Sequence, residues 1–198
     1  RTLFDVFFSV ITVANTLGVL ISIWQFFMLE GYHVLDYKGL LIRQGFVESR
    51  LFGILASPNY LSIISLMVII YLWTSFSAFN KLVKSLAVLS IILNFVYIVL
   101  SGSRTTLICL LVVAVLYALM MADWTKKAKA LLTIVVAGAL VIVSYNGVKY
   151  SSDVYLKSHS TEIQKKQTEG KKGEENFSLE RTDTSEENIS NNRFAIWQ

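Results

Sequence analysis

Three arginines stand beside apolar stretches: Arg50 in RLFGILASPNYLS (50–62), Arg104 in LSGSRTTL (100–107) and Arg193 in NNRFAIWQ (191–198). A guanidinium offers two parallel donors in a planar fork, which matches the oxygens of a phosphate. The neighbouring residues add to this chemistry. Thr105 and Thr106 open an apolar run, so the unpaired N–H groups of a helix start are expected beside Arg104 and Ser103. A cation there opposes the helix dipole, and becomes favourable when an anion sits between the two. Asn191 or Asn192 can cap another helix, with Arg193 in its first turn. Ser57 can cap a third, with Pro58 at its first position and Asn59 next, about two turns after Arg50. The residues alone leave two chemistries open at each arginine: a surface cation whose stem snorkels to water, or a grip on an anion.

The elements that must hold these residues are apolar. Of 198 residues, 54% are hydrophobic and 16% charged, against about a quarter charged in a soluble domain. A helix crosses about 30 Å of hydrocarbon with about 20 residues. Segments 3–28, 59–79, 85–101, 105–122 and 129–146 meet that requirement, which predicts an all-α integral membrane protein with about five transmembrane helices. Residues 1–150 are thus expected to form a helical bundle. The chain lacks an initiator Met and is expected to be a piece of a longer one.

Alternating spans divide the connections into two sets. Lys81, Lys84, Lys126 and Lys127, with Lys129 just inside the next span, fall on one side against Asp123. Positive residues in short loops stay cytoplasmic. Arg50, Arg104 and everything after residue 150 are then expected outside. Residues 151–190 hold few apolar side chains and the run QKKQTEGKKGEEN, which predicts a long polar extracytoplasmic loop. Residues 191–198 turn apolar again and read as the start of a further helix.

Other polar residues carry plainer expectations. Cys109 lies within an apolar run, where one cysteine supplies neither a disulfide nor a metal framework. His33 and His159 read as exposed loop histidines. Asn15 and Asn94, the amides deep inside spans, read as interhelical hydrogen-bond partners. Sequons at Asn176 and Asn188 would matter only in a eukaryotic secretory pathway. No D-x-D, paired His/Cys spacing or glycine-rich phosphate loop is visible, so neither metal nor cofactor is expected, and nothing suggests a nucleic-acid partner.

Taken in order, RLFGILASPNYLS, LSGSRTTL and NNRFAIW resemble the O-antigen ligase and polysaccharide polymerase family. Its members show an Arg…Gly…Asn-Pro-Asn-like segment before a span, a Ser-Arg turn between two spans, and an Arg-x-x-x-Trp segment after a large external loop. The likeness covers residues 45–198; Ser57 stands where the family pattern usually has Asn. The resemblance implies a membrane glycosyltransferase of the bacterial plasma membrane. Its substrates would be a polyprenyl-pyrophosphate-linked glycan and an acceptor glycan, joined on the outer face in surface or capsular polysaccharide synthesis. Arg104 and Arg50 would then be catalytic, and Arg193, Asn59 and Ser103 would bind substrate. The family's catalytic His is expected beyond residue 198. Two other classes compete: a polysaccharide or lipid transporter, which should place ionisable groups near the bilayer midplane, and a non-catalytic component that recruits partners through its external loop.

Overall fold

The computed structural model describes residues 2–35, 41–47, 50–55, 57–121 and 127–159. Arg193, the expected helix at 191–198, both sequons, Asp123 and Lys126 lie outside the described residues, as does most of the expected loop.

Helix α1 (Thr2–Phe27) carries Asp5 in its first turn, where a carboxylate favours the positive end of the dipole. It stops at Leu29, whose φ of 52° is left-handed. Three strands follow: β1 (Gly31–Leu35), β2 (Leu41–Val47) and β3 (Arg50–Gly53), in the order β1-β2-β3 and antiparallel throughout. The register pairs Gly31 with Gly45 and Leu35 with Leu41, then Gly45 with Gly53 and Val47 with Arg50. A bulge falls between Gly45 and Phe46. Gly45 and Gly53 have φ of 77° and 70°, and a side chain on either would overlap Glu30 O or Ser22 Oγ respectively.

Helix α2 (Pro58–Ser75) begins after Ser57, which is extended and makes no side-chain cap bond, with Pro58 in the first turn. A 3-10 turn at Phe76–Ala78 leads to α3 (Lys81–Ser101), capped by Asn80 Oδ1, which accepts from Val83 N at 2.9 Å. Gly102, left-handed at φ 61°, ends α3 and its N–H donates to Val99 O. α4 (Arg104–Met121) starts two residues later, and α5 (Lys127–Ser158) is the last helix among the described residues.

The protein is mostly helical, and α1, α3 and the stretch from α2 through the 3-10 turn are each long and apolar enough to cross a membrane. Helix α2 packs mainly on α3, and α4 on α5. Polarity runs opposite to that of a soluble domain. Leu3, Phe4, Phe7, Val13, Leu82 and Met120 face outward, whereas Ser22, Ser62, Ser65, Asn94, Ser101 and Thr106 are completely buried.

Two expectations from the sequence are corrected. The all-α fold fails at residues 31–53, which lie between the expected spans 3–28 and 59–79. There the three strands satisfy one another's backbone groups and bury Phe46, Val47, Leu51 and Phe52 against the bundle end. Residues 151–158, expected to belong to a polar loop, are instead helical, because α5 runs on to Ser158. At 1.5 Å per residue its 32 residues reach about 48 Å, well past a hydrocarbon core of about 30 Å. The projecting turns are held by tertiary contact: Tyr155 Oη donates to Phe27 O at 2.6 Å and its ring packs on Phe26 and Phe27. Extending an existing helix also avoids the cost of nucleating a new one.

Candidate functional site

One end of the bundle gathers the C-terminal end of α1, the sheet, the start of α2, the α3–α4 turn and the C-terminal end of α5. Serines, threonines and two asparagines, unremarkable one by one, are arranged by this fold into two buried polar groups.

The first group lies at that end. Ser62 of α2 donates to or accepts from Thr106 of α4 at 2.9 Å, and Thr106 pairs likewise with Ser103 at 2.9 Å. Ser62 Oγ also lies 3.0 Å from its acceptor Asn59 O. Ser103 caps α4: its Oγ accepts from Thr106 N at 3.5 Å and its carbonyl from Leu107 N at 3.1 Å. Ser101 Oγ donates to Ile98 O and accepts from Ser103 N at 3.3 Å, which fixes the turn from within. Since α2 and α4 are joined through Ser62 and Thr106, their N-terminal ends lie side by side. Both direct unpaired N–H groups toward the same end of the bundle.

Arg50 reaches this turn from the sheet. Its Nε donates to Ser101 O at 3.0 Å, and its stem lies over Gly102, where an added Cβ would be 3.5 Å from Nε. Arg104 is the first residue of α4 and is exposed. The sequence places both arginines near helix starts; in the fold they meet opposite ends of helices. The Arg50 guanidinium lies at the C-terminus of α3, where a cation suits the dipole, and Arg104 lies at the N-terminus of α4, where it does not.

Of the five residues singled out from sequence, Arg50, Asn59 and Ser103 converge on this end with Arg104 next to them; Arg193 lies outside the described residues. Sequence reasoning missed Ser62 and Tyr97. Ser62 carried a usable signal, since Ser62 and Ser65 interrupt one apolar run at helical spacing. Tyr97 looked like any aromatic in a span. It is fully buried, and its Oη donates toward Leu51 O at 3.3 Å and Phe52 O at 3.1 Å.

The second group lies halfway along the bundle. Asn15 Nδ2 donates to Asn94 Oδ1 at 2.6 Å and to Ser65 Oγ at 3.3 Å, so α1, α2 and α3 are joined at one level. Asn94 Nδ2 donates to Ser90 O, and Thr16 pairs with Ser90 at 2.7 Å. The two amides are thus interhelical partners of each other. His159 departs from its expected exposed position: it is half-buried at the end of α5, with Nδ1 3.0 Å from Tyr155 O and its ring over that of Tyr155. His33 lies in β1 rather than in a loop. Among the described residues, no three of His, Cys, Asp and Glu come together in a way that could hold a metal ion.

Compared with known proteins, the chain matches no family model, no curated protein and no solved structure.

Proposed function

We propose that this chain belongs to a membrane-embedded glycosyltransferase that polymerises or ligates a polyprenyl-pyrophosphate-linked oligosaccharide. Its setting is the bacterial plasma membrane, with the Arg104 end of the bundle outside. The observation that carries this reading is the convergence of Arg50 and Arg104 on one turn, beside two helix N-termini, at one end of an apolar bundle. That end is the depth at which a pyrophosphate tethered to a bilayer lipid would sit. Lys81 and Lys84 start α3 at the opposite end, as a cytoplasmic short loop would have them. The outward apolar faces support a membrane setting, with α4 and α5 as further spans.

In the proposed reaction an acceptor hydroxyl attacks the anomeric carbon of the carrier-linked glycan. The C–O bond to the pyrophosphate breaks, and its electron pair leaves on the phosphate oxygen. The hydroxyl proton passes to a base, expected beyond residue 198. Arg104 and the α4 N-terminus neutralise charge as it develops on the leaving oxygen, Arg193 and Asn59 contribute to substrate binding, and Ser103 holds the helix start in place. A transporter reading has less support, because the mid-bundle polar groups among the described residues are amides and hydroxyls rather than ionisable groups.

The test is Arg104→Lys in the full-length protein, scored by membrane level and by the ladder of polysaccharide lengths. Lysine keeps the charge and the reach to water but lacks the planar fork. The expected result is an unchanged level, accumulated carrier-linked substrate and a loss of long chains as severe as in Arg104→Ala. Normal ladders from both variants would return Arg104 to a snorkelling surface cation.

A further inference from the structure

Strand β3 is joined to the last two turns of α3 along its length. Arg50 Nε donates to Ser101 O at 3.0 Å, and Tyr97 Oη, one turn earlier on the same helix face, lies within hydrogen-bond distance of Leu51 O and Phe52 O. The far end of the strand is tied to α1. Gly53 sits against Ser22, and Ile54 N donates to Ser22 Oγ at 3.3 Å. Arg50 therefore projects from a strand fixed at both ends, onto one of the carbonyls that a helix C-terminus leaves without an intrahelical partner. That carbonyl belongs to the residue whose Oγ accepts from Ser103 N, immediately before Arg104.

We propose that Arg50 is a positioning residue, with Tyr97 as its brace: together they hold the Ser101–Arg104 turn in the shape that presents Arg104 and the α4 N-terminus to the ligand. This rests on the anion site proposed above and divides its labour. The protein itself supplies the counter-dipole for Arg50, at the end of α3. Among the described residues none is supplied for Arg104, at the start of α4, and a ligand anion fills that role. The two arginines should then differ in their tolerance of lysine. An ammonium at residue 50 can still donate one bond to Ser101 O, whereas at residue 104 it cannot form the fork.

Two readouts on the full chain separate the possibilities. Amide hydrogen exchange in detergent micelles, without substrate, follows the Gly102 and Ser103 N–H groups, which donate to Val99 O and Ser101 Oγ. Arg50→Ala and Tyr97→Phe should each speed their exchange about tenfold, as loss of one hydrogen bond from a locally opening turn would; Arg104→Ala should leave it unchanged. In polysaccharide ladders Arg50→Lys should retain most of the chain length that Arg104→Lys loses. Unchanged exchange in both Arg50→Ala and Tyr97→Phe would overturn the proposal, as would an Arg50→Lys ladder as damaged as that of Arg104→Lys, which would place Arg50 on the ligand itself. Failure of the functional reading shows separately, as a normal ladder from Arg104→Ala while the exchange results still distinguish Arg50 from Arg104.

Discussion

The two buried polar groups use similar residues to different ends. In the middle of the bundle, Asn15, Ser65, Ser90 and Asn94 bond mainly to one another and to backbone, and every described member is uncharged. At the bundle end, Ser62, Thr106 and Ser103 form a hydroxyl chain next to the turn at Ser101, but there Arg50 donates to the Ser101 carbonyl and Arg104 stands exposed beside it. The middle group joins three helices in a place where lipid offers no competing hydrogen bonds. The end group joins two helix starts and a strand next to an open surface. Buried hydroxyls in an apolar bundle are therefore evidence of assembly. Charge at a helix terminus is what turns such a group into a candidate site.

Substitutions at the two groups should therefore have different consequences, most severe at the bundle end. Replacing Arg104 by Ala or Lys should cost about 10²–10³ in transfer rate, the usual scale for removing a charge-stabilising donor, with no change in membrane level. A matching loss of level would mean that the end group is structural, like the middle one.

Asn94→Ala should do the reverse. It removes the bond to Asn15 and the two to Ser90 and leaves a cavity, so unfolding in detergent should become easier by about 2–3 kcal/mol. Activity per folded molecule should stay within about twofold. A large fall in activity at wild-type stability would move the site to the middle of the bundle and revive the transporter reading.

Gly102→Ala imposes the left-handed penalty of about 1–2 kcal/mol at φ 61°. Its effect should appear in both readouts, as modest destabilisation and a shortened ladder, because the same turn ends α3 and presents Arg104. Loss of stability alone would uncouple the turn from the site.

The smallest effect is expected from Thr16→Val, which removes one interhelical bond to Ser90. Such bonds are worth about 0.6 kcal/mol in membrane bundles, so only a slight shift in the unfolding midpoint should be seen. A shift several times larger would show the middle group acting as a cooperative network.

Sequence alone determined the helical stretches, because a run of about 20 apolar residues is set by composition. It also determined where several helices begin: Ser57-Pro58 before α2 and the Ser103-Arg104 turn before α4 are local signals that need no distant partner. That Asn15 and Asn94 bond across helices was legible because an amide inside hydrocarbon has few other options, whereas their pairing with each other came from the packing. Tertiary structure decided the rest. The sheet at residues 31–53 is short and marginal as an isolated hairpin, and becomes ordered by burying Phe46, Val47, Leu51 and Phe52 against helices far away in sequence. The last turns of α5 are polar and depend on Tyr155 meeting Phe26 and Phe27. The placement of Arg50 was the least legible of all. Its local sequence points to the helix that follows it, but the strand that carries it is fixed by Tyr97 and Ser22, so its guanidinium ends at the C-terminus of α3.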